Sequence, residues 1–168
     1  MKNIFLIGMP SSGKSTLGRR LAQSLGYRFV DTDRQIIREQ RQSINDIFQQ
    51  KGEDYFRELE RRVLRTIRPG SSLVVSTGGG MPCFHDNMAY IKQTGISVFL
   101  DVPSQELAGR MIRHNADDRP LFHPTDPELL ATLQQKYDNR RRFYQQADVI
   151  MQYPFDAEDM LERIAPLM

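Results

Sequence analysis

The segment Gly8-Met9-Pro10-Ser11-Ser12-Gly13-Lys14-Ser15 constrains this chain more than any other. It fills every fixed position of G-x-x-x-x-G-K-[ST]. Upstream, Asn3 to Ile7 is an apolar run with the pattern of a buried strand. Downstream, Leu17, Leu21 and Leu25 recur every four residues, which predicts a helix closed at Gly26. A small-residue turn between strand and helix lets consecutive backbone N–H groups face inward at the positive end of the helix dipole, forming an anion cradle. Lys14 then reaches the β- and γ-phosphates of a nucleotide, and the Ser15 hydroxyl is a Mg²⁺ ligand. The bland alternative is a glycine-rich turn with a surface lysine. Ordinary residue frequencies allow it in about one chain in a hundred, and the flanking strand and helix argue for the nucleotide site.

The rest of the chain alternates between strand and helix patterns. Phe29-Val30 is a short strand that stops at Asp31. A helical stretch follows, breaks near Gln42 and restarts at Ser43, which with Asp46 has capping-box spacing. Glu53 to Ile67 reads as a helix with acids in its first turn, ended by Pro69-Gly70. Leu73 to Val75, Val98 to Leu100 and Val149 to Met151 are further strands. Asn87 to Gln93, Ser104 to Arg113, Pro127 to Tyr144 and Ala157 to Ile164 are further helices. The alternation predicts an α/β fold with a parallel sheet and helices on both faces. Right-handed crossovers bring the strand ends, and hence the ligands, to one sheet edge.

Several residues carry chemistry at that edge. Asp31-Thr32-Asp33 follows the second strand, so one carboxylate can serve a metal and the other a substrate hydroxyl; either acid or Thr32 also suits the cap of the next helix. Leu73-Val74-Val75-Ser76-Thr77 runs into Gly78-Gly79-Gly80, which fits a close backbone approach to a ligand or a tight turn equally well. On the helix from Glu53, Glu60 falls within the apolar arc of Phe56, Leu59, Val63, Leu64 and Ile67, with Arg57 at its margin. The two pair either as a buried clamp that holds a guanidinium for a carboxylate or as a solvated surface pair. His114 to Leu121 is a polar stretch carrying Arg119. It is either a lid that excludes water from phosphoryl transfer or a surface loop. In Arg140-Arg141-Arg142, one arginine is expected to face the site and two the solvent.

Bulk properties narrow the class. All 168 residues fit one domain, and the scattered nine prolines and eleven glycines mark no linker. A formal charge of +2 argues neither for nucleic acid nor for a membrane surface. The lone Cys83 excludes an internal disulfide framework. The apolar run Ile4 to Ile7 is too short for a signal peptide or a membrane span. The expectation is a cytoplasmic enzyme without nucleic-acid or membrane partners.

In order and spacing, six elements resemble the shikimate kinase family over nearly the whole chain. They are the phosphate loop from Gly8 to Thr16, Asp31-Thr32-Asp33, Phe56-Arg57-x-x-Glu60, Gly78-Gly79-Gly80, Arg119-Pro120-Leu121, and Arg140 four residues before Tyr144. The resemblance implies a P-loop kinase fold with strand order 2-3-1-4-5, a substrate-binding helical region at about 33–61 and a mobile lid at about 112–124. The implied reaction is transfer of the γ-phosphate of ATP to the 3-hydroxyl of shikimate, on the way to chorismate and the aromatic amino acids, by a monomer. By the same resemblance, Arg57 and Arg140 hold the shikimate carboxylate and Glu60 orients Arg57. Asp33 binds substrate hydroxyls and is the candidate base, and Gly79 adds a backbone contact. Ser11, Ser12, Gly13, Lys14, Ser15 and Thr16 hold the nucleotide. Ser15 binds Mg²⁺, with Asp31 and Ser76 acting through metal-bound water. Lys14 and Arg119 stabilise the transferring phosphoryl group, and Arg110 stacks on adenine, with Arg113 the alternative. Ser11 stands where the family often has glycine. Arg142 stands where it often has proline, which makes Arg141 the fallback for Arg140. A gluconate kinase is the nearest rival reading, but would not require the Arg57–Glu60 pair, the triple glycine and Arg140 together.

Overall fold

Alternation within one strand sorts the interior into two layers. In the computed structural model, which describes residues 1–114 and 119–168, β1 (Asn3–Ile7) is wholly buried at the centre of a sheet. Ile4 and Leu6 point to one face, where they meet Leu21, Ala22, Met160 and Ile164. Phe5 and Ile7 point to the other and pack with Leu64, Met88, Ile91, Leu107 and Tyr144. A strand buried on both faces must be apolar throughout, which is what Ile4 to Ile7 is.

The elements follow in the order α1 (Lys14–Leu25), β2 (Arg28–Asp31), α2 (Thr32–Gln40), α3 (Ile44–Lys51), α4 (Glu53–Thr66), β3 (Leu73–Ser76), α5 (Asn87–Thr94), β4 (Gly95–Asp101), α6 (Ser104–Arg113), α7 (Leu129–Tyr144), β5 (Val149–Gln152) and α8 (Ala157–Ile164). The sheet runs β2-β3-β1-β4-β5, parallel throughout, in the order expected. Register decides where chemistry gathers: Asp31 pairs with Ser76, and Ser76 with Leu6. The ends of β2, β3 and β1 therefore finish level at one edge.

The differences from expectation lie at element ends. The helix expected from Pro127 starts at Leu129, because Asp126 first makes a turn in which its side chain accepts from the Glu128 N–H (2.9 Å) and its carbonyl from the Leu129 N–H (3.1 Å). Ser43 caps α3 by accepting from the Asp46 N–H at 3.0 Å. A full capping box, with both reciprocal bonds, forms at Asp156 and Asp159 of α8 instead. Between α2, α3 and α4 lies a third apolar cluster of Ile36, Ile47, Phe56, Leu59 and Val63. It fixes these helices as a wall beside the sheet edge. No helix among the described residues is long and apolar enough to cross a membrane.

Candidate active site

Two cavities open along the sheet edge and share one wall. The first, about 570 Å³, is lined by Pro10 to Leu17, Arg110, Arg113, Tyr153 and Phe155. The second, about 470 Å³, is lined by Phe56, Arg57, Glu60, Gly78 to Gly80 and Arg140, with the start of α3. Pro10, Ser15, Asp31, Asp33, Gly79 and Arg119 border both.

The first cavity is made mainly of backbone. Gly13 caps α1 at φ 97° and Gly8 lies at φ 140°, where a Cβ would come 2.8 Å from the Leu100 carbonyl oxygen. Both positions therefore exclude side chains. Ser11 occupies the left-handed region at φ 63° without being glycine. That accounts for glycine being the easier choice there. The Lys14 ammonium is buried and donates to the carbonyls of Gly8 (2.9 Å) and Met9 (2.8 Å) and to Ser12 Oγ (3.3 Å). Burial, reinforced by the Arg119 charge, lowers its pKa to about 7 against the pull of Asp33 and Asp31. Arg110 donates from Nε to Glu106 (2.8 Å) and from Nη1 to the Ser11 carbonyl (3.1 Å), which fixes it against the loop. Arg113, more exposed, makes only a 3.6 Å ion pair to Glu106 among these groups.

At the shared wall, Ser15 Oγ donates to Asp31 Oδ2 (2.8 Å) and lies 3.2 Å from Ser76 Oγ. The other Asp31 oxygen accepts from the Arg34 N–H (3.2 Å), so Asp31 caps α2 and faces the phosphate loop at once. Asp31 thus serves both as the cap of α2 and in the shared wall, whereas Asp33 stands in that wall without capping the helix. Burial, reinforced by the Asp31 carboxylate, pushes Asp33 up to about 6 despite Lys14, Arg119 and Arg57 nearby.

The second cavity is made of side chains. Arg57 and Glu60 are both buried, and Arg57 Nη1 donates to Glu60 Oε2 at 2.8 Å. The pair is therefore buried and is not a solvated surface pair. Sequence reasoning missed Glu53, whose Oε1 accepts from Arg57 Nε (3.2 Å) and Nη2 (2.9 Å), and Phe84, whose ring lies 4.4 Å from the guanidinium. Glu53, four residues before Arg57, had the right helical spacing; nothing local pointed to Phe84. Burial alone would lower the Arg57 pKa, but Glu60 and Glu53 outweigh it and the pKa is raised. Burial pushes Glu60 up to about 7 even with Arg57 opposing.

Of the arginine run, Arg140 is buried and lines the second cavity, whereas Arg141 and Arg142 are exposed. Helical geometry alone sorts them, since successive residues point about 100° apart. Tyr144, fully buried one turn later, donates to the Gly79 carbonyl at 2.6 Å and stacks on Phe99. Tyr153 and Phe155, which follow β5, were also missed, although the sheet-edge rule placed that segment beside the nucleotide loop. Of the expected lid, residues 115–118 lie outside the described residues; Arg119 borders both cavities.

A parallel sheet in this order, a phosphate loop and a second, arginine-lined cavity sharing a wall define a P-loop small-molecule kinase. The shikimate kinase family model matches residues 10–165, and the chain belongs to the shikimate kinase family. It is 44% identical over 151 residues to a shikimate kinase of Clostridium botulinum strain ATCC 19397, covering 90% of this chain and 87% of that one. It is 41% identical over 149 residues to one of Persephonella marina, covering 89% and 87%. The solved shikimate kinase of Acinetobacter baumannii in complex with shikimate superposes at a TM-score of 0.89 with 32% identity, over 99% of this chain and 92% of that one. A gluconokinase from Sinorhizobium meliloti 1021 superposes at only 0.59 with 18% identity over 99% and 93%, which reflects the shared fold alone.

Proposed function

We propose that the protein transfers the γ-phosphate of ATP to the 3-hydroxyl of shikimate, giving shikimate 3-phosphate and ADP. The observation that carries this reading is the shared wall. A phosphate loop borders one cavity, two buried arginines border the other, and Asp33, Gly79 and Arg119 stand between them. Arg57 and Arg140 grip the acceptor carboxylate. Arg57 is suited to this because Glu53 and Glu60 hold its plane before any ligand arrives. Asp33 orients the acceptor hydroxyl and accepts its proton; a carboxylate whose pKa lies near neutrality matches that task. Lys14 and Arg119 offset the negative charge on the moving phosphoryl group. Tyr153, over which Arg110 lies at 5.4 Å, gives the adenine an aromatic neighbour beside that arginine.

The oxygen donors Ser15, Asp31 and Ser76 fit Mg²⁺, a hard cation that takes one or two protein oxygens alongside phosphates and water. When bound, Mg²⁺ neutralises phosphate charge. The Ser15–Asp31 bond, which holds two of these donors side by side, supports this reading. We further place the protein in the cytoplasm as a monomer, acting on small molecules and on no nucleic acid or membrane.

The test is ADP release with Mg²⁺ and ATP, comparing shikimate, quinate and gluconate as acceptors. Release with shikimate alone is expected. Release with gluconate alone would keep the kinase and remove the proposed roles of Arg57, Asp33 and Arg140.

A further inference from the structure

The three consecutive glycines are not explained by backbone conformation. Gly80 is right-handed helical at φ −85°, and none of the three is among the positive-φ glycines of the chain. A positive φ therefore does not account for glycine at any of the three. What glycine provides is the absence of a Cβ, and the neighbour each Cβ would meet is different. At Gly78 it would lie 2.6 Å from Glu60 Oε1 and 2.8 Å from Asp33 Oδ1. At Gly79 it would lie 2.9 Å from Pro10 Cδ in the phosphate loop, and at Gly80 it would collide with the Arg57 guanidinium. All of these distances are shorter than van der Waals contact allows.

The carboxylate neighbours make the Gly78 contact the most consequential. Glu60 Oε1 and Asp33 Oδ1 are buried and accept no hydrogen bond from the described residues, yet both close on the space that a Gly78 Cβ would take. The segment is also pinned from both sides, so it has little freedom to retreat from an added methyl. The Gly78 N–H donates to Thr32 Oγ1 at 3.0 Å, and the Gly79 carbonyl accepts from Tyr144 at 2.6 Å.

We infer that Gly78, Gly79 and Gly80 are three distinct positioning residues: the first seats the Asp33 and Glu60 carboxyl groups, the second the phosphate loop at Pro10, and the third the Arg57 guanidinium. The inference rests on the proposed shikimate kinase reaction, because it assigns each glycine to a different kinetic parameter. Gly78→Ala displaces Asp33, and a misplacement on the order of 1 Å costs about 100-fold in kcat. Gly80→Ala disturbs the carboxylate clamp and raises the shikimate KM about tenfold, more than it lowers kcat. Gly79→Ala shows its largest change in the KM for ATP.

The experiment is steady-state kinetics of the three alanine variants in both substrates, with an ADP titration of each to report an intact nucleotide site. Three different signatures are expected. Equal losses in all three, or a Gly78→Ala variant whose kcat stays within threefold of the wild type, would overturn the inference. If Gly78→Ala does not fold, a double-mutant cycle decides. With Arg57→Lys already present, the guanidinium is gone and Gly80→Ala should raise the shikimate KM by less than threefold; a full tenfold rise in that background would overturn the inference. A wild type that releases no ADP with shikimate would overturn the proposed reaction, and the inference with it. An active wild type beside uniform variants would overturn the inference alone.

Discussion

The two cavities that meet at Asp33 are built by opposite means. The nucleotide side is backbone: eight consecutive residues, two glycines at positive φ and the first turn of α1. The acceptor side is side chains drawn from α2, α3, α4 and α7, more than a hundred residues apart in sequence, set around the backbone of the glycine segment. A backbone cradle binds any phosphate chain, since it reads only charge and shape. In the proposed function the two buried arginines, Arg57 and Arg140, read one functional group, the acceptor carboxylate. Generality thus resides in the contiguous segment, and selectivity in the assembled one.

Substitutions should break this division at its strongest point first. Lys14→Ala is expected to lower kcat by about a thousandfold or more if, as proposed, Lys14 offsets the charge that develops on the moving phosphoryl group. The fold should survive, because Lys14 is buried with its pKa lowered to about 7 and its charge is a cost to the folded state. A melting curve beside the turnover assay checks both. Arg57→Ala belongs to the other side. It should raise the shikimate KM on the order of 100-fold while the KM for ATP holds, charge-assisted hydrogen bonds being worth about 1.5–3 kcal/mol. An ATP KM that moved equally would dissolve the distinction between the cavities.

Glu60 sharpens the comparison through pH. Burial raises its folded pKa to about 7 from the ordinary 4.5. The folded state therefore binds more protons than the unfolded chain between those values. Its contribution to stability is full below about pH 4.5 and falls as pH rises through 7. Glu60→Gln should flatten that fall, by an amount on the order of 1–3 kcal/mol. Urea midpoints at pH 5 and pH 7.5 measure it, and a variant with the wild-type slope would show that the buried carboxyl is not its source. The smallest effect is expected at Ser11. Its left-handed backbone costs about 1 kcal/mol, and Ser11→Gly relieves this but adds a similar entropy to the unfolded chain. The melting temperature should move by only a few degrees.

Legibility followed the same line as the architecture. The phosphate loop, the acids after β2 and the helix carrying Arg57 and Glu60 were readable because each lies within one element, where spacing alone fixes the neighbours. Burial of the Arg57–Glu60 pair was half legible. The apolar arc placed Glu60 inward, but what stood opposite could not be read from the helix. Phe84 and Tyr144 were invisible as site residues, for their partners Arg57 and Gly79 lie 27 and 65 positions away. An aromatic residue in a helix or loop carries no mark of the group it will touch.

By itself the sequence determined the element types, the parallel topology they imply and the identity of the charged groups, because periodicity, capping and motif spacing act over a turn or two of chain. Tertiary structure alone decided which charges became buried, and therefore that Asp33 and Glu60 titrate near neutrality and Lys14 well below its usual range. It also decided why Gly78, Gly79 and Gly80 carry no side chains: not for a turn, but because four groups from three other segments already occupy the space. The physical reason is that desolvation and excluded volume are properties of everything within a few ångströms, and chain order does not specify what that will be.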